Sequence, residues 1–321
     1  MSNTYISKLP NVKTTIFTTV GNLAREHNAI DLSQGFPNFS ADQKLMNLVN
    51  EAMTSGHNQY AAMPGYYGLR EIISKKIEKL HGKSYHPEKE ITVTVGATQA
   101  IYTAVTTFVH PGDEVIVIKP AYDCYEPAIE VNGGIPVYYQ LNSEDYKVDW
   151  EDFKTRITPK TRMVIINTPH NPSGRIFSQE DMSQLQEILR PTNIILISDE
   201  VYEHIVFGLN GHVPLVTLPG MGDRTVRIGS AGKTFSLTGW KVGYITGAEE
   251  LISRIAKAHQ FVTFTTPPAL QNAVAFGLNK DDFFYQDLKD SMQAKRDFLK
   301  NGLQSIGFET ADCEGTYFLN A

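Results

Sequence analysis

Cysteine is scarce in this 321-residue chain, which has two, Cys124 and Cys313. Two thiols cannot build a disulfide framework, and without a CxxC pair a structural zinc site has no ligand set to start from, so no metal is expected. Long apolar runs are also lacking. No window approaches the ~20 residues that span a bilayer, and the opening MSNTYISKLPNVKTTIF has no signal-peptide core. A soluble cytoplasmic protein is expected. There is no block of like charge, and 29 Lys+Arg against 35 Asp+Glu leave a net charge of −6, which removes the basic footprint of a nucleic-acid binder. Small molecules are the partners to expect, not nucleic acid or membrane. Three catalytic signatures are missing too. GxGxxG does not occur; Arg227 stands where a Walker loop ending in Gly232-Lys233-Thr234 needs its first glycine; and the SxxK of Ser230 and Lys233 has no SDN or KTG companion.

What the chain does have is a succession of short, β-rich apolar runs: ITVTV (91–95), EVIVI (114–118), IPVYYQ (135–140), RMVIINT (162–168), IILIS (194–198), TVRIG (225–229) and KVGYIT (241–246). Helical patterns separate several of them, among them the stretch after Gly96 and SQEDMSQLQEILR (178–190), where Ser178 and Asp181 form a capping-box pattern. Alternation of this kind predicts a mainly parallel sheet with helices on both faces. Before the sheet, DQKLMNLVNEAMTSG and YGLREIISKKIEKLHG have helical spacing, and Leu69, Ile72, Ile73, Ile77 and Leu80 predict one buried stripe. Residues 283–307 read as a helix leading to a strand-like ending, EGTYFLNA, and Pro267 and Pro268 as a joint.

Ligands of such sheets bind beyond the carboxyl ends of the strands, which directs attention to the residues that follow each run. After ITVTV, Gly96, Ala97 and Thr98 open a helix and point backbone N–H groups at an anion such as phosphate, although a glycine there also makes an ordinary turn. Asn171 between two prolines offers its amide to a ligand oxygen, or simply completes an Asn-Pro turn. Asp199 ends a strand with no sequence-adjacent cation; solvated it needs nothing, buried it needs a cation or a ring N–H. Tyr202 lies three residues on. Lys233 sits among small and hydroxyl residues, Ser230, Gly232, Thr234 and Ser236, as an amine held against a small molecule would. An amine, an acid, an amide, a phenol and an anion nest together meet the needs of pyridoxal phosphate.

Taken in order, GATQA (96–100), PAYDCYEP (120–127), NTPHNPSG (167–174), SDEVYE (198–203) and SAGKTFSLTGWKVGY (230–244) resemble the signature blocks of the fold-type-I pyridoxal-phosphate aminotransferases. The resemblance is to the branch holding methionine aminotransferase, kynurenine aminotransferase and glutamine transaminase K, and SQGFPNF (33–39) and QYAAMPGYYGLRE (59–71) are similar to that branch as well. It implies a seven-stranded α/β fold of three parts: an N-terminal arm and part of the small domain over 1–40, a large cofactor domain over 41–285, and the start of a truncated C-terminal small domain over 286–321. It implies Lys233 as the lysine bonded to pyridoxal 5′-phosphate, Asp199 as partner of the ring nitrogen, and Asn171 and Tyr202 as donors to the ring phenolate. Tyr122 would stack on the ring, and Gly96, Ala97, Thr98, Ser230 and Lys241 would hold the phosphate, Lys241 where many relatives have arginine. Tyr60 would reach the phosphate of a second subunit in a homodimer with shared sites. Phe17, Gly35, Asn171 and Phe264 are implied for the substrate.

The implied activity is transfer of an amino group from a methionine-like or aromatic L-amino acid to a 2-oxo acid. A carbon–sulfur β-lyase on the same cofactor, and a truncated non-catalytic cofactor-binding protein, are the alternatives. The arginine that clamps the substrate carboxylate in the family lies past the EGTYFL block, so a chain ending at Ala321 is expected to be a fragment or to turn over amino acids weakly.

Overall fold

In the computed structural model, residues 5–33, 35, 39–208 and 211–321 are described; Gln34, Phe36, Pro37 and Asn38 of the SQGFPNF block lie outside the described residues. The seven runs form seven strands: β1 (Ile91–Thr94), β2 (Glu114–Lys119), β3 (Ile135–Gln140), β4 (Thr161–Asn167), β5 (Ile195–Asp199), β6 (Thr225–Ser230) and β7 (Gly243–Thr246). They make one sheet in the order β1-β7-β6-β5-β4-β2-β3. Its β2 to β6 pairs are parallel, and β7 runs antiparallel to both neighbours. The helices are α1 (Ile16–Glu26), α2 (Gln43–Thr54), α3 (Tyr67–His81), α4 (Gly96–Phe108), α5 (Tyr125–Val131), α6 (Trp150–Thr155), α7 (Gln179–Leu189), α8 (Ala231–Thr234), α9 (Glu249–Val262), α10 (Pro268–Leu278) and α11 (Asp282–Ser305).

Successive strand residues point to opposite faces, and outside the edge strand β3, where Ile135, Tyr138 and Gln140 are exposed, both faces are largely buried, which is why those runs are continuously apolar. Val115, Val117, Met163, Ile165, Ile197, Val226 and Ile228 pack with α4, α5 and α9. Ile116, Ile118, Val164, Ile166 and Leu196 pack with α6 and α7 on the other side. At the β1–β7 end the second face is covered instead by Leu69, Ile73 and Ile77 of α3 with Val274 and Leu278 of α10. The same alternation carries Asn167, Asp199 and Ser230 onto the face of α4 and α5. Because β1 and β7 complete the sheet in opposite directions, Thr94 and Gly243 arrive at that same edge, paired with each other, and Gly243 pairs with Ser230.

Local expectations meet the structure unevenly. The Ser178–Asp181 capping box is present, with Asp181 N donating to Ser178 Oγ at 3.1 Å and Ser178 N to Asp181 Oδ2 at 2.8 Å. The α3 stripe is buried at Leu69, Ile73 and Ile77, but Leu80 is 44% exposed because the last turn projects beyond the core. Pro267 and Pro268 do mark a joint, between α9, which ends at Val262, and α10: Pro267 is its N-cap and Pro268 its first residue, where the missing N–H has no partner to lose. EGTYFLNA is no strand. Thr316 has φ 65°, which breaks an extended run, and the segment is held to the body by one bridge pairing between Val206 and Gly315, by backbone bonds with Gly174, Ile205 and Phe207, and by the rings of Tyr317 and Phe318 against Tyr202.

Candidate active site

The strand ends surround a cavity of about 300 Å³ lined by Gly96, Thr98, Tyr122, Asn171, Asp199, Tyr202, Ser230, Lys233 and Lys241 among others. Asp199 lies at its floor, 3% exposed. Its hydrogen-bond donors are neutral: Tyr125 Oη at 2.7 Å from Oδ2 and the Val201 N–H at 3.4 Å from Oδ1. No ion pair reaches it among the described residues. Burial pushes its carboxyl up to about 6, against the pull of those two donors and of Lys233. The strand end is fixed by its neighbour: Asn167 Nδ2 and Thr168 N both donate to the Asp199 carbonyl, at 2.9 and 3.0 Å. Asn167 Oδ1 in turn accepts the Asn171 N–H at 2.6 Å, so one side chain ties the Asn171 loop to the Asp199 strand.

Lys233 is presented by α8, a single turn whose N-cap, Ser230, accepts from Gly232 N at 3.1 Å. Its Nζ lies 5.4 Å from the Tyr202 ring centroid and 5.7 Å from that of Tyr317. Burial lowers its ammonium below the usual lysine range, Asp199 opposes the shift, and Lys241 adds to it. Buried Tyr202 is boxed edge-on by Tyr317 and Phe318, centroids 5.4 and 5.8 Å away. Tyr122 and Thr98 hydroxyls meet at 3.2 Å.

At the far side of the cavity, α4 begins without a capping side chain, since Val95 occupies its N-cap. The N–H groups of its first turn therefore have no acceptor within the helix. Gly96 takes φ 77°, open to glycine, and a Cβ there would stand 3.2 Å from Lys241 Cε. That packing lays the Lys241 side chain across the helix N-terminus.

A second cavity of about 750 Å³ opens onto Lys233 from the solvent side and is lined by Phe17, Arg25, Gly35, Tyr122, Asn171, Tyr202 and Phe318 among others. A Cβ on Gly35 would fall 2.1 Å from Phe318 Cε1, so only glycine lets the backbone at residue 35 lie against the ring. Tyr60 and Phe264 line neither cavity. They pack edge-on to each other, centroids 5.4 Å apart, on the surface, with Tyr60 84% exposed.

Beneath the site, on the opposite face of the sheet, is a buried ionic cluster. Fully buried Arg227 donates to Glu200 at 2.6 Å and to Glu203; His212 Nε2 meets Glu200 at 2.9 Å and His81 Nε2 meets Glu203 at 3.2 Å. Despite its burial, the Arg227 charge followed by that of His212 brings Glu200 down to about 2. Sequence reasoning passed over this cluster and also over Tyr125, Asn167, Tyr317 and Phe318. The last four lay inside blocks already singled out for other residues.

The family described as aminotransferase class I and II matches residues 27–320. A methionine aminotransferase of Escherichia coli (strain K12) is 44% identical over 313 residues, 98% of this chain and 81% of that protein. The kynurenine–oxoglutarate transaminase of Dictyostelium discoideum is 37% identical over 317 residues, 92% of this chain and 73% of that one. Among solved structures, an Escherichia coli protein with a methionine aminotransferase function superposes with a TM-score of 0.96 at 43% identity, covering 98% of this chain and 83% of that one. The N-succinyldiaminopimelate aminotransferase of Mycobacterium tuberculosis does so at 0.95 and 39% identity, covering 98% and 82%.

Proposed function

We propose, from the premise that the chain belongs to the class I and II aminotransferases and is a pyridoxal 5′-phosphate-dependent aminotransferase, that its amino donor is a methionine-like or aromatic L-amino acid and its acceptor a 2-oxo acid. The observation that carries this reading is the 750 Å³ cavity in front of Lys233, walled by the rings of Phe17, Tyr122, Tyr202 and Phe318. Aromatic walls stabilise an apolar side chain by burying its surface. Similarity to methionine and kynurenine aminotransferases points the same way.

The side chains fit the cofactor on three counts. The uncapped α4 terminus with Lys241 across it matches a phosphate. Buried Asp199, with neutral donors only, matches a protonated ring nitrogen that supplies the missing cation. Lys233 matches a nucleophilic amine, since burial favours its neutral form. When bound, pyridoxal 5′-phosphate supplies an electron sink for negative charge at the donor's Cα.

The protein's own groups then divide the work. Lys233 would tether the cofactor, and its amine would serve as the general base that moves the donor's Cα proton. Asp199 would hold the proton on the ring nitrogen. Asn171 and Tyr202 would donate to the phenolate, Tyr122 would stack on the ring, and Gly96, Ala97, Thr98, Ser230 and Lys241 would hold the phosphate. Gly35 N–H and Asn171 orient the donor carboxylate beside Phe17. The exposed Tyr60–Phe264 pair serves a neighbouring subunit's site in a homodimer, where a surface ring pair of this kind gains burial. The three-part division at residues 40 and 285, and a cytoplasmic location consistent with two free cysteines, belong to the same reading.

The test is a donor panel. Methionine, phenylalanine, kynurenine, aspartate and cystathionine are each incubated with the cofactor-loaded protein and a 2-oxo acid, and product oxo acids are quantified by mass spectrometry. Preference for aspartate by tenfold or more rejects the apolar-donor reading. Pyruvate and ammonia released from cystathionine without an acceptor would point to β-elimination instead.

A further inference from the structure

The two carboxylate oxygens of Asp199 have unequal surroundings. Oδ2 accepts from the Tyr125 hydroxyl at 2.7 Å, whereas Oδ1 has one amide contact at 3.4 Å. Tyr125 is 2% exposed and belongs to the core cluster under α4 and α5. Burial, with the Asp199 charge next, pushes its phenol well above the usual range, so at working pH it stays protonated and acts here as a donor. Its ring packs edge-on against Tyr122, centroids 5.9 Å apart at 82°. Ring and hydroxyl thus do separate things: the ring packs in the core, and the hydroxyl meets Asp199.

We propose that Tyr125 is a positioning residue for the cofactor: its hydroxyl occupies Oδ2 of Asp199, leaves Oδ1 to accept the pyridine N–H, and keeps the shared proton on the ring nitrogen. The inference rests on the assignment of Asp199 to that nitrogen. A donor bound to a carboxylate makes it a weaker base, so the partner across the other oxygen retains its proton. Removing a hydrogen bond to a charged group shifts such an equilibrium by about tenfold to a hundredfold. The electron-sink chemistry depends on that proton, so turnover should follow it.

Four chains are compared with ring-¹⁵N-labelled pyridoxal 5′-phosphate bound: wild type, Tyr125→Phe, Asp199→Ala and the double variant. Phenylalanine keeps the packed ring and deletes one oxygen. In Tyr125→Phe the ¹⁵N resonance is expected to move from the pyridinium toward the neutral-pyridine position, and kcat to fall about tenfold or more. In the Asp199→Ala background the same substitution should change neither. An unmoved resonance, or an equal loss in both backgrounds, overturns the proposal, because the tyrosine then acts independently of Asp199. As a second probe, 3-fluorotyrosine placed at position 125 keeps the shape with a stronger donor, and the resonance should stay at or move further toward pyridinium; movement toward neutral pyridine refutes it. A crystal structure of the loaded wild type decides the geometry, and a ring nitrogen facing Oδ2 also refutes the proposal. The underlying assignment fails separately, if Asp199→Ala leaves both the ¹⁵N position and cofactor retention as in wild type.

Discussion

Replacing Asp199 with asparagine should stabilise the cofactor-free protein while crippling the enzyme. The carboxyl is buried with neutral donors and is displaced from 3.8 to about 6. A folded-state value raised above the unfolded one means that the fold prefers the protonated acid. Its contribution is fully present below about pH 3.8 and is lost as pH rises through 6, after which the charged form weighs against folding. The displacement corresponds to on the order of 3 kcal/mol above pH 6. Asparagine has the same shape, can still accept from Tyr125, and carries no charge, so most of that penalty should vanish. Urea unfolding of the cofactor-free wild type and Asp199→Asn at pH 4 and pH 8 measures it. The variant should be more stable by roughly 2–3 kcal/mol at pH 8 and nearly equal to wild type at pH 4. With pyridoxal 5′-phosphate the order should close or reverse, because the ring nitrogen compensates a charge that asparagine does not have. No gain at pH 8, or an equal gain at both pH values, would falsify the claim that the fold holds an uncompensated charge here.

Other perturbations separate packing from chemistry. Arg227→Met strands Glu200 and Glu203 inside the protein and should cost about 3–5 kcal/mol in urea unfolding at pH 7. Since Glu200 falls from 4.5 to about 2, its stabilisation is complete above 4.5 and fades toward 2, so the gap to wild type should narrow in acid; a cost below about 1 kcal/mol at neutrality contradicts the ionic account. Lys233→Ala should abolish the covalent hold on the cofactor, seen as cofactor released on denaturation after borohydride treatment, and lower kcat by about 10²–10⁴-fold. Gly35→Ala places a methyl 2.1 Å from Phe318 Cε1 and must displace that ring, which lines the donor cavity, so KM should rise several-fold with cofactor affinity unchanged; unchanged KM would remove Gly35 from the donor site.

The sheet was legible because burial on both faces, in every strand but the edge strand β3, leaves little polar alternation to confuse, and each strand appears as an apolar run closed by a glycine or polar residue. Helices with a strong stripe or cap, such as α3 and α7, were legible for the same reason. The proline pair was legible as the joint before α10, but the N1 role of Pro268 was not, since a proline shows that role only once the following turn is known to be helical. EGTYFLNA failed differently. Its β-forming residues suggested a strand, but Phe318 and Tyr317 pack on Tyr202, and the positive φ of Thr316 turns the chain to deliver them.

Site residues divided along a related line. Lys233, Asp199 and Asn171 stood out because each is anomalous where it occurs: a lysine among small residues, an acid at the end of an apolar run, an amide between prolines; Tyr202 was reached from Asp199, three residues before it. Tyr125, Asn167 and Arg227 are not anomalous in sequence. A tyrosine opening a helix, an asparagine ending a strand and an arginine inside one acquire meaning from partners 74, 32 and 27 positions away. Such pairings are set by strand order, and β4, β5 and β6 lie side by side in this sheet. Period-two alternation then decides the rest. It turns Asp199 toward Tyr125 and the cofactor face, and Glu200 toward Arg227 on the other. A one-residue slip of β5 would exchange them, placing Glu200 in the cofactor cavity and Asp199 against the guanidinium. The two-carboxylate clamp on Arg227 therefore opposes that slip, which gives the buried cluster a part in setting the register on which the catalytic carboxylate depends.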